Sequence, residues 1–345
     1  MRNWQNVYQT KDYRYKLTPD NDIEIIAYEG ADDDVVIPAE IQGRKVTAIG
    51  REAFYRRAGL TSVVMPDGVT KIGQDAFREC EELKDIKFSN NLVHIGRRAF
   101  LYCAALERIV IPDSVRKIGS ESFEKCESLK EIIMPRVSSV GSYAFYFCEK
   151  LESAVLPANM EKIGKGSFWA CRNLKTIKLP YGITEISDKA FACCANLESV
   201  IIPNSVRRIG LGAFLCCKRL KNIKVPDSVT EIGFAAFISC PNLETLEIPA
   251  SAKLPDNSLN NSLLSIVSRA VVVTRRETAQ NKEDFSREFI IPPGETLEEV
   301  LDDRNITQRD LALLTDSSER HIDKVIRGSR RITSAFAKKL NAFLI

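Results

Sequence analysis

The sequence predicts a repeat solenoid, a β-solenoid of 23-residue units, followed by a small all-α domain. Three observations carry this: a phenylalanine that returns on a fixed beat, a leucine and a proline that keep the same beat, and the loss of that beat after residue 274. Phenylalanine stands at Phe54, Phe77, Phe100, Phe123, Phe145, Phe168, Phe191, Phe214 and Phe237, in steps of 23 residues except for 22 between Phe123 and Phe145. Leucine follows at Leu60, Leu83, Leu106, Leu129, Leu151, Leu174, Leu197, Leu220 and Leu243. Proline recurs from Pro66 to Pro249, with Ser89 in the one gap. A single unit cannot bury its own apolar side, whereas stacked copies share a continuous core.

Each part of the unit has a physical reading. Stretches such as Leu220 to Val225 alternate inward and outward as a short strand does. Proline ends the strand because it has no N–H for the next ladder bond. The glycine after isoleucine (Gly50, Gly73, Gly96, Gly119, Gly141, Gly164, Gly210, Gly233) is expected at a bend that needs positive φ. The 22-residue step falls at Pro135-Arg136-Val137, where one residue of the turn is missing. Residues 1–34 are expected to form an N-terminal cap, 35–274 the repeats with a C-terminal cap (Leu264–Val267 and Val271–Val273), 275–293 a linker, and 294–345 the helical domain.

This unit resembles the BspA-like, or Treponema-type, leucine-rich repeats over residues 35–250. The resemblance implies a leucine-rich-repeat solenoid, a fold that binds proteins, and many of its relatives are cell-surface proteins.

Eight of the ten cysteines, Cys80, Cys103, Cys126, Cys148, Cys171, Cys194, Cys217 and Cys240, share one repeat position and are expected as a buried column of small side chains. Cys193 and Cys216 fall outside it and receive no role. With two histidines and no C-x-x-C pair, no metal site or cofactor is expected, and no catalytic set emerges. His94 aligns with Lys71 and Lys117 and reads as surface. The residue after the repeat leucine alternates in sign over eight units, from Lys84 and Glu107 to Lys221 and Glu244, and reads as a register device between neighbouring coils. Three residues further on, Val64, Lys87, Val110, Ile133, Val155, Lys178, Ile201 and Lys224 point outward. Outward apolar residues fit a protein-partner surface; they equally fit the plain preference of β-branched residues for strands.

The second part has the layout of two short helices around a three-residue turn. Thr307-Gln308-Arg309-Asp310-Leu311-Ala312 and Ser318 to Gly328 resemble the Cro/repressor-type helix-turn-helix of HigA-like antitoxins. That resemblance implies binding to double-stranded DNA. Gln308 would contact phosphate; Ser318, Glu319, Arg320, His321 and Lys324 would face the major groove; Arg327, Arg330 and Arg331 would grip the backbone. Readers of this type usually work as dimers, so a homodimer is among the expected partners, although no dimer surface is legible. The net charge of +3 argues neither for nucleic acid nor for membrane by itself. The N-terminal stretch lacks the apolar run of a secretory signal and no stretch is long enough for a membrane span, so a cytoplasmic protein without membrane contact is expected. The expectation is therefore a DNA-binding, antitoxin-like or regulatory protein with a protein-binding repeat surface; the alternative is a BspA-like interaction or adhesion protein with a tail that no longer reads DNA.

Overall fold

Each 23-residue unit closes one coil with three sides, and main-chain hydrogen bonds tie successive coils together along most of their length. The computed structural model describes residues 7–249, 251–253 and 271–274, and eight positions further on: Thr307, Arg309, Leu311, Ala312, Ser317, Ser318, Arg320 and Ile322. Contacts divide the chain into two units, the first ending at Arg276 and the second running from Glu277 to Ile345 apart from an exchange of residues 260–262.

The first side of the coil is a three-residue strand, exemplified by Arg108–Val110, Glu131–Ile133 and Ser153–Val155, which pair in parallel. The middle residue is buried and its two neighbours face outward, because side chains alternate across a strand. The second side is a two-residue strand such as Lys117–Ile118, again parallel to its counterparts, with isoleucine inward and the charge outward. An antiparallel meander of Val7–Gln9, Tyr13–Leu17 and Ile23–Tyr28 caps the second side at the N-terminal end. Val271–Thr274 pairs in parallel with Thr245–Ile248 at the other end of the first side. Leu264–Val267, the other expected cap segment, lies outside the described residues. The short unit costs no register: Pro135 and Arg136 form a bend, and Ser139–Val140 pairs in step with Lys117–Ile118 and Lys162–Ile163.

The third side holds the phenylalanine. Glu52, Phe54 and Arg56 donate their N–H groups to the carbonyls of Gln74, Ala76 and Arg78 in the next coil, at 3.1, 2.7 and 2.9 Å. This side bends through left-handed residues two before and two after each phenylalanine, among them Glu52, Arg56, Asp75, Glu79, Arg98 and Tyr102, with φ between 56° and 62°. Such a backbone costs a non-glycine residue about 1 kcal/mol or more, and the inter-coil bonds offset it. Inside, the nine phenylalanine rings form one stack with centroids 4.8–5.6 Å apart and interplanar angles of 3–20°. Tyr28 continues the stack at the N-terminal end, 5.2 Å from Phe54.

The cysteine column is buried as expected, and it also bonds. Each thiol donates to the carbonyl of the phenylalanine one coil back, from Cys80 to Phe54 O through Cys240 to Phe214 O, at 3.0–3.4 Å. In the first coil Arg57 occupies the cysteine position; it lies over the Tyr28 ring and donates to the Gly30 carbonyl.

Two expectations are corrected. Among the described residues positive-φ glycines are Gly43, Gly166 and Gly212, none of them in the glycine column. Glycine is needed there for close approach: a Cβ on Gly119 would lie 2.6 Å from the carbonyl carbon and oxygen of Gly96, and one on Gly96 would meet Gly73 at 2.6 Å. Ser187 shows what a side chain does in this column. Gly164 and Gly210 donate their backbone N–H to Val140 O and Ile186 O, whereas at Ser187 the hydroxyl donates to Ile163 O at 2.7 Å. The second-side sheet is interrupted at that step, between Lys162–Ile163 and Glu185–Ile186; the first-side sheet parts there too, between Ser153–Val155 and Thr176–Lys178, and also earlier, between Asp85–Lys87 and Arg108–Val110. The alternating charges, expected to bridge every coil, instead pair off: Lys130 reaches Glu107 and Lys175 reaches Glu152, each at 2.9 Å. A lysine drawn to one carboxylate has left the other, and exposed pairs gain too little to hold a continuous zipper.

Gly119→Ala is expected to lower stability by about 2 kcal/mol or more, since backbone must move to admit the methyl group, while Gly43→Ala, with open space around it, costs about 1 kcal/mol for its positive φ alone. Urea unfolding followed by circular dichroism compares the two; equal costs would remove the close-approach argument. Burial also pushes the Cys80 thiol up to about 12 and raises those of Cys103, Cys126, Cys148, Cys171, Cys194 and Cys217. A raised thiol stabilises the fold fully below the ordinary cysteine value and loses that contribution as pH climbs above it. Each therefore withdraws about 1.4 kcal/mol per pH unit once unfolded chains ionise. The melting temperature should drop steeply above pH 9; a midpoint unchanged from pH 7 to pH 10 would contradict this.

Candidate protein-binding face

The outward face of the first-side strands is the surface on which the sequence places a partner. Of its eight predicted residues, Lys87, Val110, Val155, Lys178, Ile201 and Lys224 are exposed, and Val64 and Ile133 are half-buried. The apolar members are bare: Val110 is 47% exposed, Val155 56% and Ile201 74%. Val36, on the strand one coil before Val64, is 72% exposed and extends the same column. These side chains point outward because the buried middle residue of each strand fixes the alternation.

Towards the C-terminal end of the repeats the face is hollowed into a groove of ≈ 570 Å³. The strands Ser199–Ile201, Asn222–Lys224 and Thr245–Ile248 and the turns that follow them line it, including Asn204, Pro226, Asp227 and Pro249. Ile201 supplies an apolar wall, Lys224 pairs with Glu247 at 3.6 Å, and the Thr245 hydroxyl donates to Asn222 Oδ1 at 2.5 Å. The outward column found Ile201 and Lys224; Ser199, Asn222, Thr245 and the turn residues were missed. They occupy the first strand position and the proline turn, where polar residues are ordinary and carry no periodic signal.

An apolar residue flanked by amides, hydroxyls and one ion pair can seat a peptide segment, and nothing in this set resembles nucleophile, base and orienter. Among the described residues no three His, Cys, Asp or Glu side chains gather as metal ligands, and no helix is long and apolar enough to cross a membrane. His94 is exposed, in register between Lys71 and Lys117; partial burial and then the Lys71 charge lower its pKa.

Of the predicted DNA-contacting residues, Ser318 and Arg320 are described and exposed; Gln308, Glu319, His321, Lys324, Arg327, Arg330 and Arg331 lie outside the described residues. Arg309, Leu311, Ala312, Arg320 and Ile322 have helical backbone. Leu311 N bonds to Thr307 O and Ile322 N to Ser318 O, and Leu311, Ala312 and Ile322 are buried.

Comparison with known proteins places the repeats. The profile of the BspA type leucine rich repeat region matches residues 47–138 and 138–265. It stops short of residues 294–345 and so lends the helix-turn-helix expectation no support. A leucine-rich repeat protein from Bacteroides ovatus is similar at 34% identity and a TM-score of 0.66, over 72% of this chain and 66%, just under two thirds, of that one. The leucine-rich repeat protein of T. pallidum matches at 33% identity and 0.48, over 62% of this chain and 90% of its own. A leucine rich cell surface protein from Faecalibacterium prausnitzii matches at 25% identity and 0.44, over 79% and 96%. No curated protein matches. The profile covers more than half of the 345 residues with the coil geometry described above, and the chain belongs to the BspA-type leucine-rich repeat family.

Proposed function

We propose that this protein binds a protein partner through the outward face of its three-residue strands, with the groove around Ile201 as the centre of contact. The bare column of Val110, Val155 and Ile201 carries the reading, because soluble proteins seldom leave such aligned apolar side chains uncovered without a use. The family and its Bacteroides ovatus relative support a repeat protein of this interaction type. The reading serves a cell-surface adhesion protein and a cytoplasmic one alike, and it requires no catalysis. Val155→Asp/Ile201→Asp should leave the circular dichroism spectrum unchanged and weaken the partner captured by the wild type at least about tenfold, the usual effect of a charge placed in an interface centre. Undiminished capture would move the site to another face.

A second reading assigns double-stranded DNA to residues 294–345. It draws on the exposure of Ser318 and Arg320 beside the buried Leu311, Ala312 and Ile322, the pattern a recognition helix needs. Retention of fragmented genomic DNA across a salt series tests it. Enrichment of discrete sequences by the wild type, lost in Arg320→Ala/Lys324→Ala, is the expected result; equal, weak, salt-steep binding by both would rule it out.

A further inference from the structure

Cys193 and Cys216 hold one position, two residues after Phe191 and Phe214, in neighbouring coils. Both are left-handed, at φ 56° and 59°, and both are tied into the third-side ladder, Cys193 N to Leu215 O at 2.6 Å and Cys216 N to Ile238 O at 2.8 Å. Unlike the eight column thiols, which are sealed in the core, these two are partly exposed. Their thiols hydrogen-bond each other.

A second group is aimed at the same spot. The Trp169 indole is 2% exposed and its N–H has no hydrogen-bond partner among the described residues; it acts on the Cys193 thiol in the direction that favours ionisation. A buried indole N–H without an acceptor is costly, and a thiolate is the acceptor that would satisfy it. The charges of Arg172 and Lys218 act on the same sulfur. The hydrogen bond from Cys216, then the Trp169 N–H and these two charges, hold the Cys193 thiol below the ordinary cysteine range against the opposing effect of burial. The same bond and burial push Cys216 up.

We infer that Cys193 is a nucleophilic site for hydroperoxides, with Cys216 as its resolving partner. The Cys193 sulfur attacks the terminal peroxide oxygen: an S–O bond forms, the O–O bond breaks, and the departing oxygen takes a proton to leave as water or an alcohol. The Cys216 sulfur then attacks the Cys193 sulfur: an S–S bond forms, the S–O bond breaks, and hydroxide leaves as water with the Cys216 proton. Two thiols are oxidised and one hydroperoxide is reduced. Neighbouring coils about 4.8 Å apart lie within the Cα range of a disulfide. The Cβ atoms must close to about 3.8 Å, so the bond is strained and readily reduced by a thiol.

The test treats the full chain with hydrogen peroxide, blocks free thiols, and maps peptides by mass spectrometry. The expected product joins the Cys193 and Cys216 peptides, is reversed by dithiothreitol, and leaves the column cysteines reduced. In Cys216→Ser, a dimedone adduct should accumulate at Cys193. In Trp169→Phe, shown folded by its melting curve, the initial rate should fall about tenfold, the loss of one hydrogen bond to a thiolate. The inference is overturned if Cys193 reacts no faster than free cysteine, if Cys193→Ser leaves Cys216 oxidised at the wild-type rate, or if Cys193 oxidises without joining Cys216.

Discussion

The distance between the main chains of successive coils governs this molecule. Hydrogen bonds between the coils hold it at about the 4.8 Å spacing of paired strands, and every side chain must then live beside its own counterpart from the next coil. Few residue types tolerate that company. Flat rings stack, as the phenylalanines do; thiols slot beneath a carbonyl one coil back; glycine removes the atom that would strike the neighbouring backbone. The repeat sequence is in this sense a list of residues that pack against themselves, and Ser187 marks the point where one does not and a ladder parts.

Because self-packing imposes periodicity, the core was largely legible from the chain alone. The phenylalanine, leucine and cysteine columns are all buried, and the missing residue at Pro135–Val137 is absorbed in a turn without disturbing either sheet. The glycine column was found for the wrong reason, since spacing reveals that a glycine is required but not whether the backbone angle or the neighbour requires it. The left-handed positions on the third side were illegible. They are filled by Glu, Arg, Asp, Tyr, Lys, Phe, Ala, Cys and Ser, with glycine at Gly166 and Gly212, so the usual sign of positive φ is absent; the inter-coil bonds impose the angle on whatever residue arrives.

The candidate face divides along the same line. Its apolar column was visible because it repeats, and its groove was not, because a hollow arises from how three adjacent coils sit together. The Cys193–Cys216 pair lay wholly outside periodic reasoning: two residues in one column acquire chemistry from Trp169, Arg172 and Lys218, which stand in other columns.

The ring stack has a consequence for how such a protein changes over time. Nine rings at eight nearly equal steps make a scale of roughly 40 Å, and each duplication of a unit lengthens it by one graduation without altering the fittings of any other. Reach can thus be adjusted in whole increments while the local chemistry of each coil is inherited intact, and a binding surface can be extended by copying before it is refined by substitution.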